Sequence, residues 1–310
     1  MPNELPGSLT FCGRTFTAQE LELMRQTAAD FAGLGITEIS RTVCELLDWK
    51  RPTGRLKNHE CRQLLERLQE QGRLSLPEVR RSGPLGPRQV KVTAQSEPQA
   101  AIEGSAGQFE PLELALVDAQ HGGDSALWIE LLERYHYLGY RVPVGAQLRY
   151  LVRAASCGPR ILACLQWTSA AWKMAARDEW IGWSAEQRSQ NLPRIINNSR
   201  FLILPWVRVA GLASKILSLC ARRLPRDWER QYGCEPFLLE TLVDAKRFAG
   251  TCYRAANWIE LGTTQGRGRM DREHLLQDAA PKRIYVYPLC RNAPLRLCRA
   301  AAPQRRSDEI

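Results

Sequence analysis

The hydrophobic pattern of this chain is most pronounced over residues 201–223. An unbroken apolar run, Phe201–Leu204, is too short for a helix and lacks polar alternation, which predicts a strand buried on both faces. A turn of small residues follows Pro205. Apolar residues then recur with the spacing of one helical face, at Leu212, Ile216, Leu219 and Cys220. The segment therefore predicts a strand, a turn and a helix.

Residues 17–80 contain three short stretches in which apolar residues have helical spacing. The first opens at Thr17, with Glu20 at the capping-box position three residues later. The second runs from Thr37, and the third begins near Asn58 and ends at Gly72. A strand-like LSLPEV follows the third stretch. This order predicts an N-terminal winged helix-turn-helix domain over residues 1–80.

Basic residues cluster where the third predicted helix begins, which is where phosphate contacts of a helix-turn-helix lie. Polar side chains at the start of the same helix are candidates for reading base edges. The predicted DNA-binding residues are Lys50, Arg51, Arg55, Lys57, Asn58, Arg62 and Gln63, with His59 as a further base reader. A protein docking surface and a merely solvated basic turn remain open as alternatives.

Residues 81–111 are rich in Pro, Gly, Ser, Gln and Ala and show no apolar period, which predicts a flexible linker. Within it, Pro84–Arg88 is also consistent with an arm that lies along DNA.

A second, strand-rich body is predicted over residues 112–290, followed by a basic tail over 291–310. A helix from Ser125 to Tyr137 precedes two antiparallel strands and a Trp-rich insertion. After the central strand, turn and helix come another strand, a helix and a last strand. The predicted strands are Gln147–Val152, Ile161–Trp167, Phe201–Leu204, Phe237–Val243 and Ile284–Tyr287. The fold class is therefore α+β, with a mixed sheet flanked by helices.

The net charge of +10 and the pI near 9.3 favour an anionic partner, and DNA before a membrane. The ten cysteines form no CxxC pair or Cys/His cluster, so no zinc site is predicted and a reduced cytoplasm is expected. No apolar stretch is long enough to span a bilayer, and the first residues lack the pattern of a signal peptide. We therefore expect a cytoplasmic protein with no membrane partner.

Three places carry candidate chemistry. The turn before the central helix combines Arg208, Gly211, Ala213 and Ser214, and small residues at a helix start let backbone N–H groups approach a phosphate. They also let a helix pack closely on a strand, which is the alternative. Glu240 lies in an apolar strand, where desolvation would raise its pKa and suit a general base, unless an arginine pairs with it. His136 ends a helix beside Tyr137 and is a further catalytic candidate.

The turn Arg208-Val-Ala-Gly211-Leu-Ala213 resembles the pyrophosphate signature of the GNAT family of N-acetyltransferases, and the order of elements is that of their fold. This resemblance implies an acyltransferase-like domain and an acyl-CoA-like donor. It places Tyr253, in TCYRAANWIELG, where that fold has a tyrosine that protonates the departing thiolate. It places Glu240 where a general base is often found.

Over about residues 10–290 the chain resembles the Druantia DruA family, found in a bacterial anti-phage system and attached to transposases. The segments that carry the resemblance are LQWTSAAWKMAARDEWIGWS, NNSRFLILPWVRV and GTCYRAANWIELGTTQGRGR. It implies a role in phage defence or mobile DNA, with a helicase, another defence subunit or a transposase as partner. Nothing after Arg296 could be a transposase nuclease domain, so transposition by this chain alone is not expected. ERYHYLGYRVPVG also resembles phage Mom proteins, which modify DNA bases.

Three functions follow as hypotheses. The first is a DNA-binding component of a defence or mobile-element system. The second is a DNA-directed enzyme with an acyltransferase-like fold that modifies bases. The third is a metal-dependent nuclease or strand-transferase acting in transposition, with acids drawn from Asp118, Asp178, Glu240, Asp244 and Glu260. Two further surfaces are candidates for DNA contact, a basic one at Arg267–Arg272 and the Arg-rich tail, and a stacking one at Trp167, Trp172, Trp180 and Trp183.

Overall fold

The structure is a computed structural model that describes residues 7–30, 35–51, 56–77, 90, 92–117, 122–140, 146–171, 174–264 and 281–299. Its helices are α1 (Ala18–Asp30), α2 (Ile36–Leu46), α3 (Asn58–Glu70), α4 (Gly122–Tyr135), α5 (Ala175–Ile181), α6 (Ala185–Asn191), α7 (Leu212–Tyr232), α8 (Thr251–Ala255) and α9 (Ala293–Arg299). Its strands are β1 (Ser8–Phe11), β2 (Arg14–Thr17), β3 (Ile102–Ser105), β4 (Leu112–Leu116), β5 (Gln147–Ala154), β6 (Ile161–Ser169), β7 (Ile195–Ile203), β8 (Val207–Ala210), β9 (Leu238–Asp244), β10 (Ile259–Thr263) and β11 (Lys282–Pro288).

The N-terminal part contains the three predicted helices. The capping box at Thr17 is present, because the Glu20 N–H bonds the Thr17 hydroxyl at 3.2 Å and the Thr17 N–H bonds the Glu20 carboxylate at 2.9 Å. The strand expected after α3 is absent from the described residues 74–77, and an antiparallel hairpin of β1 and β2 precedes α1 instead. The three helices are therefore confirmed, and the wing is not seen where the sequence predicted it.

A seven-stranded mixed sheet forms the main body, in the order β10-β11-β9-β7-β6-β5-β4. Neighbours are antiparallel except β7 and β9, which are parallel. A parallel pair needs a crossover, and here the crossover runs through β8 and α7. The α+β class with a mixed sheet flanked by helices is thus confirmed. Strand β4 was missed because the linker composition around it hides its LELAL pattern.

Part of the predicted linker has regular structure. Strand β3 pairs in parallel with β8, and a short 3₁₀ turn at Ala106–Phe109 follows it. Ser96 and Ile102 are buried. Residues 92–111 therefore belong to the folded body, while Pro84–Arg88 lies outside the described residues. The first part of the predicted tail is also regular, since it forms α9.

Buried apolar residues form two clusters, one on each side of the central strands. In the first, α7 and α8 pack against the sheet with Leu239 and Val243 of β9, and Trp128 of α4 donates its indole N–H to the Tyr150 carbonyl at 3.2 Å. The second joins Leu238 of β9 to residues of α1–α3 and to the region of α5, α6 and α9. The N-terminal helices thus share a core with this face, rather than forming a body without apolar contact to the sheet.

Among the described residues, no helix has both the length and the hydropathy that crossing a bilayer requires.

Candidate functional site where two strands part

The parallel strands β7 and β9 separate within the sheet. Their pairing covers only Ile195–Asn198 against Leu238–Thr241. Beyond this point β7 continues along β6 as far as Ile203, and β9 continues along β11 as far as Asp244. The strands therefore diverge after Asn198 and Thr241 and leave a gap between their facing edges.

Tyr253 lies at the closed end of this gap. It is 6% exposed, and its hydroxyl donates to the Asn198 side-chain oxygen at 2.9 Å. The amide of Asn198 is oriented for this contact, because its nitrogen donates to the Gln166 and Arg200 carbonyls at 3.3 and 3.2 Å. Burial raises the pKa of the Tyr253 phenol above its ordinary value. The site thus contains a neutral phenol in a fixed position.

Aromatic rings hold Tyr253 from several sides. It stacks on Tyr285 at 5.6 Å between ring centroids and lies edge-on to Trp258 at 5.2 Å and to Phe201 at 6.5 Å. Such offset and edge-on pairs fix the angle of a ring as well as burying it. The orientation of the phenol is therefore set by α8, β7 and β11 together.

His136 follows α4 and approaches β7. Its Nδ1 accepts the Leu138 backbone N–H at 3.2 Å, and burial and then Arg200 lower its pKa to about 4. The imidazole is therefore neutral near pH 7, and because Nδ1 is an acceptor, Nε2 carries the proton. Arg200 is attached to the same loop, since its Nε donates to the Gly139 carbonyl at 3.2 Å. His136 thus presents a donor rather than a free base.

An aromatic and cationic wall lies beside His136. Tyr137 stacks on His136 at 4.9 Å and contacts Phe248 at 5.5 Å, while the Arg247 guanidinium lies 5.0 Å from the Tyr137 ring centre. Tyr137 and Phe248 are 38% and 49% exposed. Burial, and next the nearby Asp244, raise the pKa of Tyr137. Exposed aromatic faces beside arginines are suited to a planar or anionic group.

Glu240 lies away from Tyr253. Its neighbour Thr241 donates to the Asn198 carbonyl at the gap, whereas Glu240 points to the other face of the sheet, since successive strand residues alternate. There it is fully buried, and its oxygens accept from Arg177 Nη1 at 2.8 Å and from the Ala171 N–H at 3.1 Å. The arginine-paired alternative is therefore what the geometry shows for Glu240.

The glycine turn forms the start of α7. Gly211 has φ of +76°, and the Ser214 hydroxyl donates to its carbonyl at 3.0 Å. Arg208 lies on β8, is exposed, and has its guanidinium 3.8 Å from the Glu103 carboxylate of β3. Ala213 is in the first turn of α7. A side chain at Gly211 would meet only the Ala106 methyl at 3.9 Å, so the turn is open on that side.

The predicted DNA-binding residues lie around two segments between α2 and α3, residues 49–51 and 56–57, which pair in antiparallel orientation and are called the basic hairpin below. Lys50 bridges to Leu56, and the Lys57 N–H donates to the Trp49 carbonyl at 3.0 Å. Each cation has a contact within this part of the chain, namely Lys50 with Asp48, Arg51 with Glu60 at 2.7 Å, Arg62 with Glu66 at 2.8 Å, and Lys57 with the Cys12 carbonyl at 3.5 Å. Arg55 lies outside the described residues.

The predicted base readers differ in accessibility. His59 and Gln63 are exposed on the outer side of α3, opposite the buried Leu64 and Leu68. The Asn58 side-chain oxygen, in contrast, is buried and has no hydrogen-bond partner in the described structure. The Asn58 side chain thus faces the interior while that of His59 faces solvent, because successive side chains of a helix point in directions about 100° apart.

The prediction that four tryptophans offer stacking faces is wrong for two of them. Trp167 is fully buried and Trp183 is 9% exposed, because both belong to the apolar core. Trp180 is partly buried, and Trp172 lies outside the described residues. The basic segment Arg267–Arg272 also lies outside them.

The described acids among those considered for metal binding are engaged in ion pairs and hydrogen bonds. Glu240 and Asp178 both contact Arg177, Asp244 contacts Arg247, and Glu260 accepts from the Tyr285 hydroxyl. Asp118 lies outside the described residues. Where the structure describes the chain, no group of three metal-ligating side chains occurs.

Several solved structures are similar to part of this chain. Spermidine/spermine N-acetyltransferase SpeG from Vibrio cholerae, in complex with manganese ions, is 9% identical, with a TM-score of 0.36 over 57% of this chain and 92% of that one. Aminoglycoside acetyltransferase AAC(6')-Ib with coenzyme A is 16% identical, with a TM-score of 0.36 over 60% and 98%. A probable acetyltransferase of the GNAT family from Chromobacterium violaceum is 13% identical, with a TM-score of 0.37 over 67% and 98%.

No curated protein matches the chain. A family model does match it, described as Druantia protein DruA, over residues 67–280.

Proposed function

The chain belongs to the Druantia protein DruA family, and from this membership we propose that it is a component of an anti-phage defence system. In this role it binds DNA through its N-terminal helices. In this proposal α1–α3 act as a winged helix-turn-helix, with the basic hairpin in place of the predicted wing. DNA is the primary partner in this proposal. Other subunits of the system, among them a helicase, then act on the bound DNA.

The observation that carries the proposal is the position of the basic hairpin beside the polar side of α3. Cys61, Leu64 and Leu68 anchor α3 in the core, so that His59 and Gln63 face outward. Arg51 of the hairpin reaches this helix through Glu60. The Arg51 side chain is 49% exposed, whereas that of Glu60 is 19% exposed. The Arg51 guanidinium is therefore open to solvent on one side and can bind a phosphate while it stays beside Glu60.

Replacing Arg51, Lys57 and Arg62 together by Gln is expected to weaken duplex binding and to flatten its salt dependence. Each lost phosphate contact lowers the slope of log affinity against log salt by about 0.9, so the slope falls by about 2 to 3. A salt titration by fluorescence anisotropy measures this. The matched control replaces Arg25, Arg41 and Arg73, which carry the same charge elsewhere on or beside the three helices. An unchanged slope, or an equal fall in the control, would mean that this surface does not contact DNA.

A second candidate function is acyl transfer at the gap between β7 and β9. Tyr253 favours it, because a buried neutral phenol with a fixed hydroxyl suits protonation of a leaving group. His136 would orient an acceptor through its Nε2–H, and Tyr137 with Phe248 would contact a planar group such as a base. In this function the turn of Arg208, Gly211, Ala213 and Ser214 would hold the pyrophosphate of an acyl-CoA-like donor. In this function Glu240 would stabilise the sheet through its ion pair with Arg177 and would not be the general base.

The donor is tested by comparing Gly211→Glu with Gly211→Gln. Both variants place a side chain on a left-handed residue, so both carry the same backbone strain of about 1–2 kcal/mol. Only the glutamate brings a negative charge to the helix start, where it repels phosphate. We expect calorimetry with acetyl-CoA to show heat for the parent, less for the glutamine variant and none for the glutamate variant. A parent that binds no acetyl-CoA would leave the turn with a packing role only.

A further inference from the structure

A second groove lies on the other half of the sheet and shares no lining residue with the gap. It has a volume of about 730 Å³ and runs between the second half of α7 and the strands β4 and β5. Its floor is apolar, with Leu112, Ala154 and Leu219. A volume of this order accommodates a small organic ligand, and thus one strand of a polymer rather than a double helix.

The walls of this groove are strongly basic. Five arginines line it, Arg153, Arg222, Arg223, Arg226 and Arg230, against the two carboxylates of Glu113 and Asp227. Asp227 is already engaged, because it accepts from the Tyr150 hydroxyl and from Arg223, each at 2.9 Å. Arg153 is paired with Asp124 at 3.0 Å. The positive charge of the groove is therefore not neutralised by its own acids.

Three of these arginines have no partner among the described residues. Arg222, Arg226 and Arg230 are exposed, and within the described ranges none of their side chains makes a hydrogen bond or ion pair. They are four residues apart on α7, so they form a row of about 12 Å at 1.5 Å per residue. A single strand of nucleic acid carries one negative charge per nucleotide, so a row of this length can face consecutive phosphates of one strand.

A favourable interaction with the C-terminus of α7 explains the position of only one of these three arginines. Cations near a helix C-terminus interact favourably with its carbonyl groups, but the effect is limited to the last turn. Arg230 lies in that turn before Gly233, whereas Arg222 and Arg226 lie more than a turn earlier. Their common feature is the groove, not the helix end.

We propose that this groove binds one strand of a nucleic acid through its phosphodiester backbone. Guanidinium groups match phosphate oxygens with two parallel hydrogen bonds, which makes arginine the preferred residue for such contacts. The apolar floor lies where sugars and bases would pack. The site is distinct from the basic hairpin between α2 and α3 and from the gap that holds Tyr253.

The test replaces Arg222, Arg226 and Arg230 together by Gln in the full chain. To separate this site from the N-terminal helices, the background carries Lys50→Gln, Arg51→Gln and Lys57→Gln. Loss of three contacts to a single strand lowers the salt slope by about 2, which corresponds to about 100-fold weaker binding at ~0.1 M salt. Anisotropy of a labelled oligothymidylate measures affinity and slope. Lysine at the same three positions keeps the charge and is expected to retain most of the affinity.

The matched control replaces Arg25, Arg73 and Lys282, three solvent-accessible cations on α1, after α3 and on β11, and is expected to bind like the background protein. Equal losses in both sets would show a net-charge effect and overturn the proposal. It is also wrong if the glutamine variant binds as well as the background, if a duplex is bound in preference to the single strand, or if polyglutamate competes as well as the oligonucleotide, which would indicate an acidic protein partner. Urea unfolding of each variant checks that the fold is intact, and the lysine set provides the comparison if the glutamine set is unstable.

Discussion

Replacing Arg177 by Met is expected to lower the free energy of unfolding by about 3–5 kcal/mol. Arg177 is fully buried and contacts two carboxylates, Glu240 at 2.8 Å and Asp178 at 2.8 Å, as well as the Ala171 carbonyl. Burial alone would lower the pKa of Arg177. The negative charges of Glu240 and Asp178 outweigh this effect and hold the pKa above its ordinary value. Without the guanidinium, the Glu240 carboxylate would remain buried without a counter-charge, which is the main cost.

Urea unfolding of the single and double variants measures this. Arg177→Met with Glu240→Gln removes both charges, so the double variant is expected to lose less stability than the sum of the single variants. The cycle therefore gives the coupling between the two side chains. Losses that simply add, or a single variant within about 1 kcal/mol of the parent, would contradict the assignment of this pair as a structural element.

The same variants distinguish the two interpretations of Glu240. As a structural residue, Glu240→Gln lowers stability and any loss of defence follows from it. A general base would instead show loss of activity at unchanged stability. The sequence could not decide between these, because Arg177 and Glu240 are 63 residues apart and lie in unrelated patterns, an insertion helix and a strand.

Long apolar runs made much of the fold predictable. Strands β5, β6, β9 and β11 were found because their residues are apolar over most of their length, and α7 because its buried face has helical spacing. Strand β3, with the sequence IEGS, has one buried residue and exists through its pairing with β8. Neither the β-propensity nor the hydrophobic periodicity of a segment reveals a pairing strand a hundred residues away, so β3 was predicted to be part of the linker.

The candidate site was predictable only in part. Tyr253 and His136 were found, the first through a resemblance and the second as a titratable group at a helix end. Asn198 and Arg200 were missed, because their roles depend on where β7 leaves β9, which no local pattern specifies. A polar NNSR segment before an apolar run was the available signal, since polar residues in a central strand need a reason to be there. The arginine groove was missed for a related cause, since only the fold brings α7 against β4.

Gly250→Ala is expected to lower the free energy of unfolding by about 2–5 kcal/mol and to disturb the candidate site. Gly250 precedes α8 with φ of +70°, which costs about 1–2 kcal/mol for any other residue. An added methyl would also lie 2.7 Å from Cζ of Tyr285 and closer still to its hydroxyl. Tyr285 is fully buried, donates to Glu260 at 2.9 Å and stacks on Tyr253, so the ring cannot move without displacing the phenol. Overpacking of this kind adds about 1–3 kcal/mol.

Gly233→Ala is the matched control for this variant. Gly233 ends α7 in the same left-handed region, with φ of +65°, and an added methyl would meet no atom within 4 Å. It should therefore cost only the backbone strain, about 1–2 kcal/mol, and leave Tyr253 in place. Urea unfolding compares the two, and phage-defence assays of both variants in cells report on the site. Equal stability losses would mean that Tyr285 yields to the methyl, and intact defence with Gly250→Ala would mean that the position of Tyr253 does not matter for function.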